Sequence, residues 1–456
     1  MHAGLVAVGL CVGGWASLAG AADFDVVKAG ADPTGERLCT AEIQRAIDGA
    51  AASGGGEVRV PKGTYQVTAL RLKSGVTLRV DEGALLRPSR RSSDYGDEKW
   101  PTVGAAGATN VAVVGSGAIE GGGDCFYDAD GVALPVKRPH YVLHFEGCRC
   151  VRIEGVTLRY SMHWTCRIEC WEDVVVRGVT VRNRAFSQQH CTDGIDLVCS
   201  SRVLVEKCDI ETGDDGVCLK SELSKSVPIA KHPVMRDIVV RDCVIATTCN
   251  ATKIGTETVG DIENVLFERI TVRKHSSTPG KNPIPSGDCI AAISLQSNDG
   301  AKVHNVTCRD YTVESCYAPV FVQLQHRVSH RKEAALGELG GITIERLTCR
   351  RALAASQINV CEGGRLGRVT LADFDVRTQE RVEAQLGQPK DRGPVRRPTG
   401  RYPEAKSNGV MPAFGLFARD VDGLTLRGQM RFADDGGSGR EAVVLEGVAG
   451  LRDERR

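Results

Sequence analysis

Apolar residues recur along this chain in short alternating runs. Val151, Ile153, Val156 and Leu158 make one; Val174, Val176, Val179 and Val181 the next; Val203, Val205, Cys208 and Ile210 a third. Further copies begin at Ile238, Val265, Val306, Ile342, Val369 and Leu424, with Gly, Asn and Asp marking the turns between them. Alternation within a run predicts strands, and the return of the whole unit every roughly 25 to 40 residues, with one wider gap, predicts coils. Each coil leaves its inner face unburied until the next stacks on it, so the pattern calls for a solenoid. A β-sandwich also uses many short strands, but the short, even hairpin spacing it needs is missing. The expected fold is all-β, a parallel β-helix. Its open N-terminal end exposes unpaired backbone and needs a cover. Residues Thr40 to Ala52, with Ile43, Ala46, Ile47 and Ala50 on one face and Gly54-Gly55-Gly56 behind, predict a short capping α-helix.

Composition narrows the picture. The chain has 456 residues, 42% hydrophobic and 25% charged, enough for a large core, and a net charge of +1 provides no global field for nucleic acid or an anionic membrane. Residues 3 to 20 are apolar and rich in small side chains, ending at Ala19-Gly20-Ala21-Ala22, which fits a signal peptide over residues 1–22. An uncleaved anchor is the competing reading. The expected mature protein is a single, monomeric solenoid domain over residues 23–456, secreted or periplasmic, with a charged tail that frays. Of the 18 cysteines, 17 remain after Cys11 is removed. Cys208, Cys243 and Cys308 fall at apolar repeat positions, which favours reduced, inward-facing thiols over a bridged scaffold. Cys148 and Cys150 with the scattered His lack paired zinc spacing, and no metal or cofactor is expected.

Insertions interrupt the coils at Arg87–Val103, Glu222–Pro233, His275–Gly287 and Gln385–Val410. Such loops rise from one side and wall a groove. Between Lys390 and Arg401 five basic residues (Lys390, Arg392, Arg396, Arg397 and Arg401) face one acid, Asp391. The run suits contact with an acidic polysaccharide, although such runs are more often plain solvated loops.

Two segments carry the candidate chemistry. Thr192-Asp193-Gly194-Ile195-Asp196-Leu197 and Gly213-Asp214-Asp215-Gly216-Val217-Cys218-Leu219 repeat one pattern about one coil apart. Stacked in phase, Asp193 and Asp215 would be separated by the strand spacing of about 4.8 Å. Strict alternation would turn both inward with Ile195 and Val217, so facing outward requires a bend at Gly194 and Gly216. The next coil, Cys249-Asn250-Ala251-Thr252-Lys253-Ile254, puts Ile254 in the core column, Asn250 in the column of Asp215, and Lys253 beside Cys218. Crowded carboxylates split their pKa values, and a split set supplies an acid and a base, as glycosidic hydrolysis requires. Turn formation by Asp and Gly, and calcium binding by the same oxygens, are the competing readings. Asp196 alternates away from the core column and suits a structural role.

The T-D-G-I-D and T-G-D-D-G-V-C-L-K-S segments resemble the N-T-D and D-D signatures of glycoside hydrolase family 28, the polygalacturonase family. Asp25-Val26-Val27, Ile43-Gln44 and Gly54 to Tyr65 are similar to its N-terminus, and Ala318 to Gln323 and Ala355 to Val360 to segments of bacterial members. The resemblance implies a right-handed β-helix and metal-free inverting hydrolysis of a pectic or other acidic or branched plant or algal glycan. It gives Asp214 the role of general acid, with Asp193 and Asp215 activating water. Three positions depart from the pattern: Cys191 stands for the usual Asn, Asn250-Ala251 replaces H-G, and Ala292-Ile293-Ser294 stands where R-I-K is usual. Lys253, Lys220 and Arg327 are the candidate replacement cations for a uronate carboxylate. His190, Asn250, Glu257 and Gln325 complete the candidate substrate-binding set, while Trp164 and Trp171 suit stacking on a sugar or plain packing. A polysaccharide lyase on the same solenoid and a non-catalytic carbohydrate-binding solenoid are the alternative functions.

Overall fold

A computed structural model describes residues 23–96, 100–128, 132–183, 191–276, 288–379 and 394–456. The described residues fall into two compact units, the first ending at Gly213 and the second beginning at Asp214. Both are built from parallel coils, and the fold is a right-handed parallel β-helix. The expected apolar copies are the rungs. In the first unit Val111, Val151, Val174 and Val203 pair in turn. In the second, Ile238, Val265, Val306, Ile342, Val369 and Leu424 form one continuous column. All are buried. A one-residue slip on any rung would turn its apolar set to solvent, so the pattern itself fixes the register.

The capping helix spans Thr40–Ala52 and buries Ile43, Ala46, Ile47 and Ala50. It packs on the first strands of the coil, with Gly49 against Phe24. Gly54 and Gly55 stop it in left-handed conformations that an L side chain rarely adopts. The predicted signal peptide, residues 1–22, lies outside the described residues. Among the described residues no helix is long and apolar enough to cross a membrane.

Two expectations change. Cys308 does not share the column of Cys243: it pairs with Phe267, whereas Cys243 pairs with Ile270. The repeat offers two inward positions per short strand, and thiols occupy both because each is a small apolar slot. The charged tail continues the coil through strands Glu441–Glu446 and Arg452–Arg455, which pair with Ala413–Arg419 and Leu424–Asp434. Ladder hydrogen bonds do not depend on side-chain polarity, and the outward charges pair instead, as in Arg419 with Glu446. The described cysteines form no disulfide, and most are buried.

One corner of the second unit carries a charged ladder. Asp242, Arg269, Asp310, Arg346 and Asp373 stack on successive coils, each in the left-handed region. Arg269 holds Asp242 through two bonds of 2.6 and 3.0 Å, and Arg346 holds Asp310 through two of 2.6 and 3.1 Å. Left-handed arginine is costly, and the bidentate pairs offset that cost.

Candidate active site

In the second unit the strand Val217–Lys220 lies beside Asn250–Ile254, pairing Val217 with Thr252, Cys218 with Lys253 and Leu219 with Ile254. Val217, Leu219 and Ile254 enter the core, so Cys218 and Lys253 point to the opposite face. The register also places Asn250 beside Asp215, as the spacing predicts. Asp215 joins the Lys253 face, and the turn occurs at Gly216. The cause is close approach rather than a left-handed backbone: a Cβ at Gly216 would lie 2.5 Å from both the Ala251 carbonyl oxygen and Ile245 Cγ2.

Asp215 faces out of the core yet is only 2% exposed. Its Oδ1 accepts from the Asn250 backbone N–H at 3.1 Å and from Asn250 Nδ2 at 2.7 Å, and its Oδ2 accepts from Lys253 Nζ at 2.7 Å. Burial alone would raise the Asp215 pKa, but Lys253, then Lys220, together with the hydrogen bonds from Lys253 and Asn250, outweigh it and hold the carboxyl low, at about 2. Burial would likewise discharge Lys253, and Asp215 prevents it. The buried pair is therefore ionised. Asp214 is half-buried beside it, and its Oδ1 accepts the Asp215 backbone N–H at 2.9 Å.

The same face assembles further charges. Lys220 Nζ is 3.5 Å from Glu257, whose pKa is held at about 2: burial opposes this, and Lys220, Arg327 and Lys253 prevail. Arg327 clasps the fully buried Asp299 through bonds of 2.9 and 2.5 Å, donates to the Thr256 carbonyl oxygen at 3.2 Å, and comes within 3.9 Å of Glu257. Lys220, Lys253 and Arg327 thus alternate with Asp215, Glu257 and Asp299. Five of these six charged side chains are almost wholly buried and Glu257 is partly so; buried ion pairs are poor stabilisers, and such clusters recur at functional sites.

Asp214, Asp215 and Cys249 bring donor atoms within 4.8 Å of one another, a spacing that could hold a metal ion. The Lys253 ammonium already occupies Asp215 Oδ2, which opposes a second cation there. Cys249 remains a thiol: burial, then the charges of Asp215 and Asp214, push its pKa well up. Asn250 Oδ1 is buried without a hydrogen-bond partner among the described residues.

Residues distant in sequence complete this face. The segment 394–410 crosses it as a strap. Thr256 Oγ1 donates to Tyr402 Oη at 3.1 Å, Gln325 Nε2 to the Arg401 carbonyl oxygen at 2.9 Å, and Gln296 Nε2 to that of Pro403 at 3.4 Å. Lys253 Nζ lies 5.7 Å from the Tyr402 ring centroid. The Glu404 carboxylate is 3.7 Å from Cys249 Sγ and 3.0 Å from Lys406 Nζ. Sequence reasoning missed Tyr402, Glu404, Lys406 and Asp299; the only signal was the Pro- and Arg-rich insertion, read as a groove wall. A second insertion, Glu222–Pro233, is pinned by Arg331, which pairs with Glu222 and donates to the Ser224 and Lys225 carbonyl oxygens.

Asp214, Asp215, Asn250, Lys253, Lys220, Glu257, Gln325 and Arg327 all belong to the second unit. Asp193 belongs to the first, is 2% exposed, and its carbonyl oxygen accepts the Thr165 N–H at 2.8 Å. Asp196 is fully buried in register with Arg167, on the face expected for it. Trp164 is half-buried with the Arg167 guanidinium 5.1 Å over its ring. His190, Lys390 and Arg392 lie outside the described residues, as does the Trp171 side chain.

Comparison with known proteins bears on the family and the fold. Residues 52–316 match the family described as glycosyl hydrolases family 28. A probable polygalacturonase of Vitis vinifera is 25% identical over 289 residues, covering 58% of this chain and 57% of that protein. An exopolygalacturonase of Cochliobolus carbonum is 25% identical over 234 residues, covering 46% and 48% respectively. The chain spans about half the length of these curated relatives. The crystal structure of a hyperthermoactive exopolygalacturonase from Thermotoga maritima superposes with a TM-score of 0.64 at 20% identity, over 78% of this chain and 87% of that one, a likeness of fold.

Proposed function

We propose that this chain, which belongs to glycosyl hydrolases family 28, is an exported glycosidase that cleaves an acidic pectic polysaccharide with inversion at the anomeric carbon. The observation that carries the reading is the ionised Asp215–Lys253 pair, with the half-buried carboxyl of Asp214 directly beside it. An inverting hydrolase needs a carboxyl to protonate the departing glycosidic oxygen and a carboxylate to take a proton from water as that water attacks. Asp214 is the member of the pair that a sugar oxygen can reach, and it serves as the acid. Asp215, kept charged by Lys253, serves as base. As the C–O bond breaks, the proton of Asp214 passes to the leaving hydroxyl and the water proton passes to the base. The names of the relatives, polygalacturonase and exopolygalacturonase, favour a galacturonate polymer, and residues 1–22 favour export.

The test is Asp214→Asn assayed on polygalacturonate. Loss of a positioned general acid lowers turnover by about 10²- to 10⁴-fold. An unchanged melting temperature and proton NMR of the first-formed reducing end in the wild type complete the experiment. Retained activity in the variant, or a retained anomeric configuration, overturns the assignment.

A further inference from the structure

The strap borders a cavity of about 420 Å³ against Gln323 and Gln325. Its lining contains Arg396, Arg397, Arg401 and Lys406 and no carboxylate. Two of these cations are already matched, Arg397 by Asp420 and Lys406 by Glu404. Arg401 is different. Its backbone carbonyl is anchored by Gln325, but its guanidinium has no partner among the described residues and the residue is exposed at the cavity. Next to it Tyr402 is 57% exposed. Its hydroxyl is fixed by Thr256, so the ring is held as a surface on which a sugar can stack.

The cavity adjoins the reacting groups through two residues of its own lining. Tyr402 lies over Lys253, the partner of Asp215. Lys406 pairs with Glu404, which reaches Cys249, and Cys249 shares its cluster with Asp214 and Asp215. The cavity is thus separated from the carboxyl pair by single side chains of the strap, Tyr402 on one side and Lys406 with Glu404 on the other. Lys253, Lys220 and Arg327, the cations expected from sequence to meet a substrate carboxylate, are each buried against a protein carboxylate instead. An unmatched guanidinium beside a fixed aromatic ring is the combination that recognises a planar carboxylate on a pyranose.

We propose that this cavity is a carboxylate subsite that seats a uronate ring of the substrate, with Arg401 as the cation that grips it and Tyr402 as the stacking surface. The inference rests on the glycosidase reading above and adds the place at which acidic sugar is told from neutral.

The test uses the full-length chain carrying Asp214→Asn, so that ligand is not consumed, and measures binding of trigalacturonate and its methyl ester by calorimetry. The parent is expected to bind the acid at least about 10-fold more tightly than the ester, the equivalent of about 1.4 kcal/mol. Arg401→Ala is expected to abolish that preference while leaving the affinity for the ester within about twofold, and Arg401→Lys, a point charge without the planar fork, to restore part of it. An acid-over-ester preference undiminished in Arg401→Ala overturns the subsite and leaves the glycosidase reading intact. A parent that binds neither ligand, or binds a sulfated oligosaccharide in preference to the acid, overturns the pectic substrate and the uronate subsite together.

Discussion

Two ionic ladders run through the second unit, and they differ in almost every physical respect. At the corner, Asp242, Arg269, Asp310, Arg346 and Asp373 alternate in sign on successive coils with side chains substantially open to water. On the sheet face, Lys253, Asp215, Lys220, Glu257, Arg327 and Asp299 also alternate, with Lys253 and Asp299 wholly buried. Exposed pairs contribute little each and fade with salt, and here they satisfy a tight turn. Buried pairs carry a large desolvation cost, and apolar side chains of similar size would serve stability as well or better. A coil that only needed to stack has no use for the second ladder. The contrast supports the proposal that the corner serves folding and the sheet face serves chemistry.

The comparison can be pressed from its most consequential contact outward. Lys253→Met removes the partner of a buried carboxylate and is expected to destabilise the chain by about 3–5 kcal/mol, read by chemical denaturation. The double variant Lys253→Met with Asp215→Asn removes both charges and is expected to recover much of that loss while remaining inactive. A double variant no more stable than the single one would show that the two charges are not coupled as the 2.7 Å contact requires. At the corner, Arg346→Ala is expected to cost about 0.2–1 kcal/mol, shrinking further in high salt, with activity unchanged. A loss as large as that of Lys253→Met would erase the distinction between the ladders.

Much of this was legible in the sequence because a solenoid writes its register as a period. The column from Ile238 to Leu424 follows from where alternating residues recur, and the placement of Asn250 and Lys253 follows from counting back from Ile254. Cys308 shows the limit of that method, since two inward slots per strand read alike when both hold small apolar residues. The strap was not legible in detail. Tyr402 meets Thr256 across 146 residues, and no local pattern states which part of an Arg-rich insertion folds back onto which strand. The partner of Arg327 was hidden for a related reason: Asp299 lies on the preceding coil, and an isolated Asp in a turn carries no mark of burial. The sequence does put Lys253 beside Cys218; only the structure shows that its ammonium is consumed by Asp215 rather than offered to substrate.

The electrostatic state of Asp215 bears directly on all of these points. A carboxyl whose folded-state pKa is depressed stabilises the fold above its unfolded value of about 4, and that contribution is lost as pH falls through the folded value. Carbon-13 NMR titration of the labelled aspartate carboxyls, with Asp215→Asn to assign the resonance, reads that value. The expected result is an Asp215 signal that stays ionised below pH 4 and begins to titrate only toward about pH 2, moving upward in Lys253→Met. An Asp215 that titrates at or above the ordinary aspartate value in the wild type would contradict the division of labour between Asp214 and Asp215.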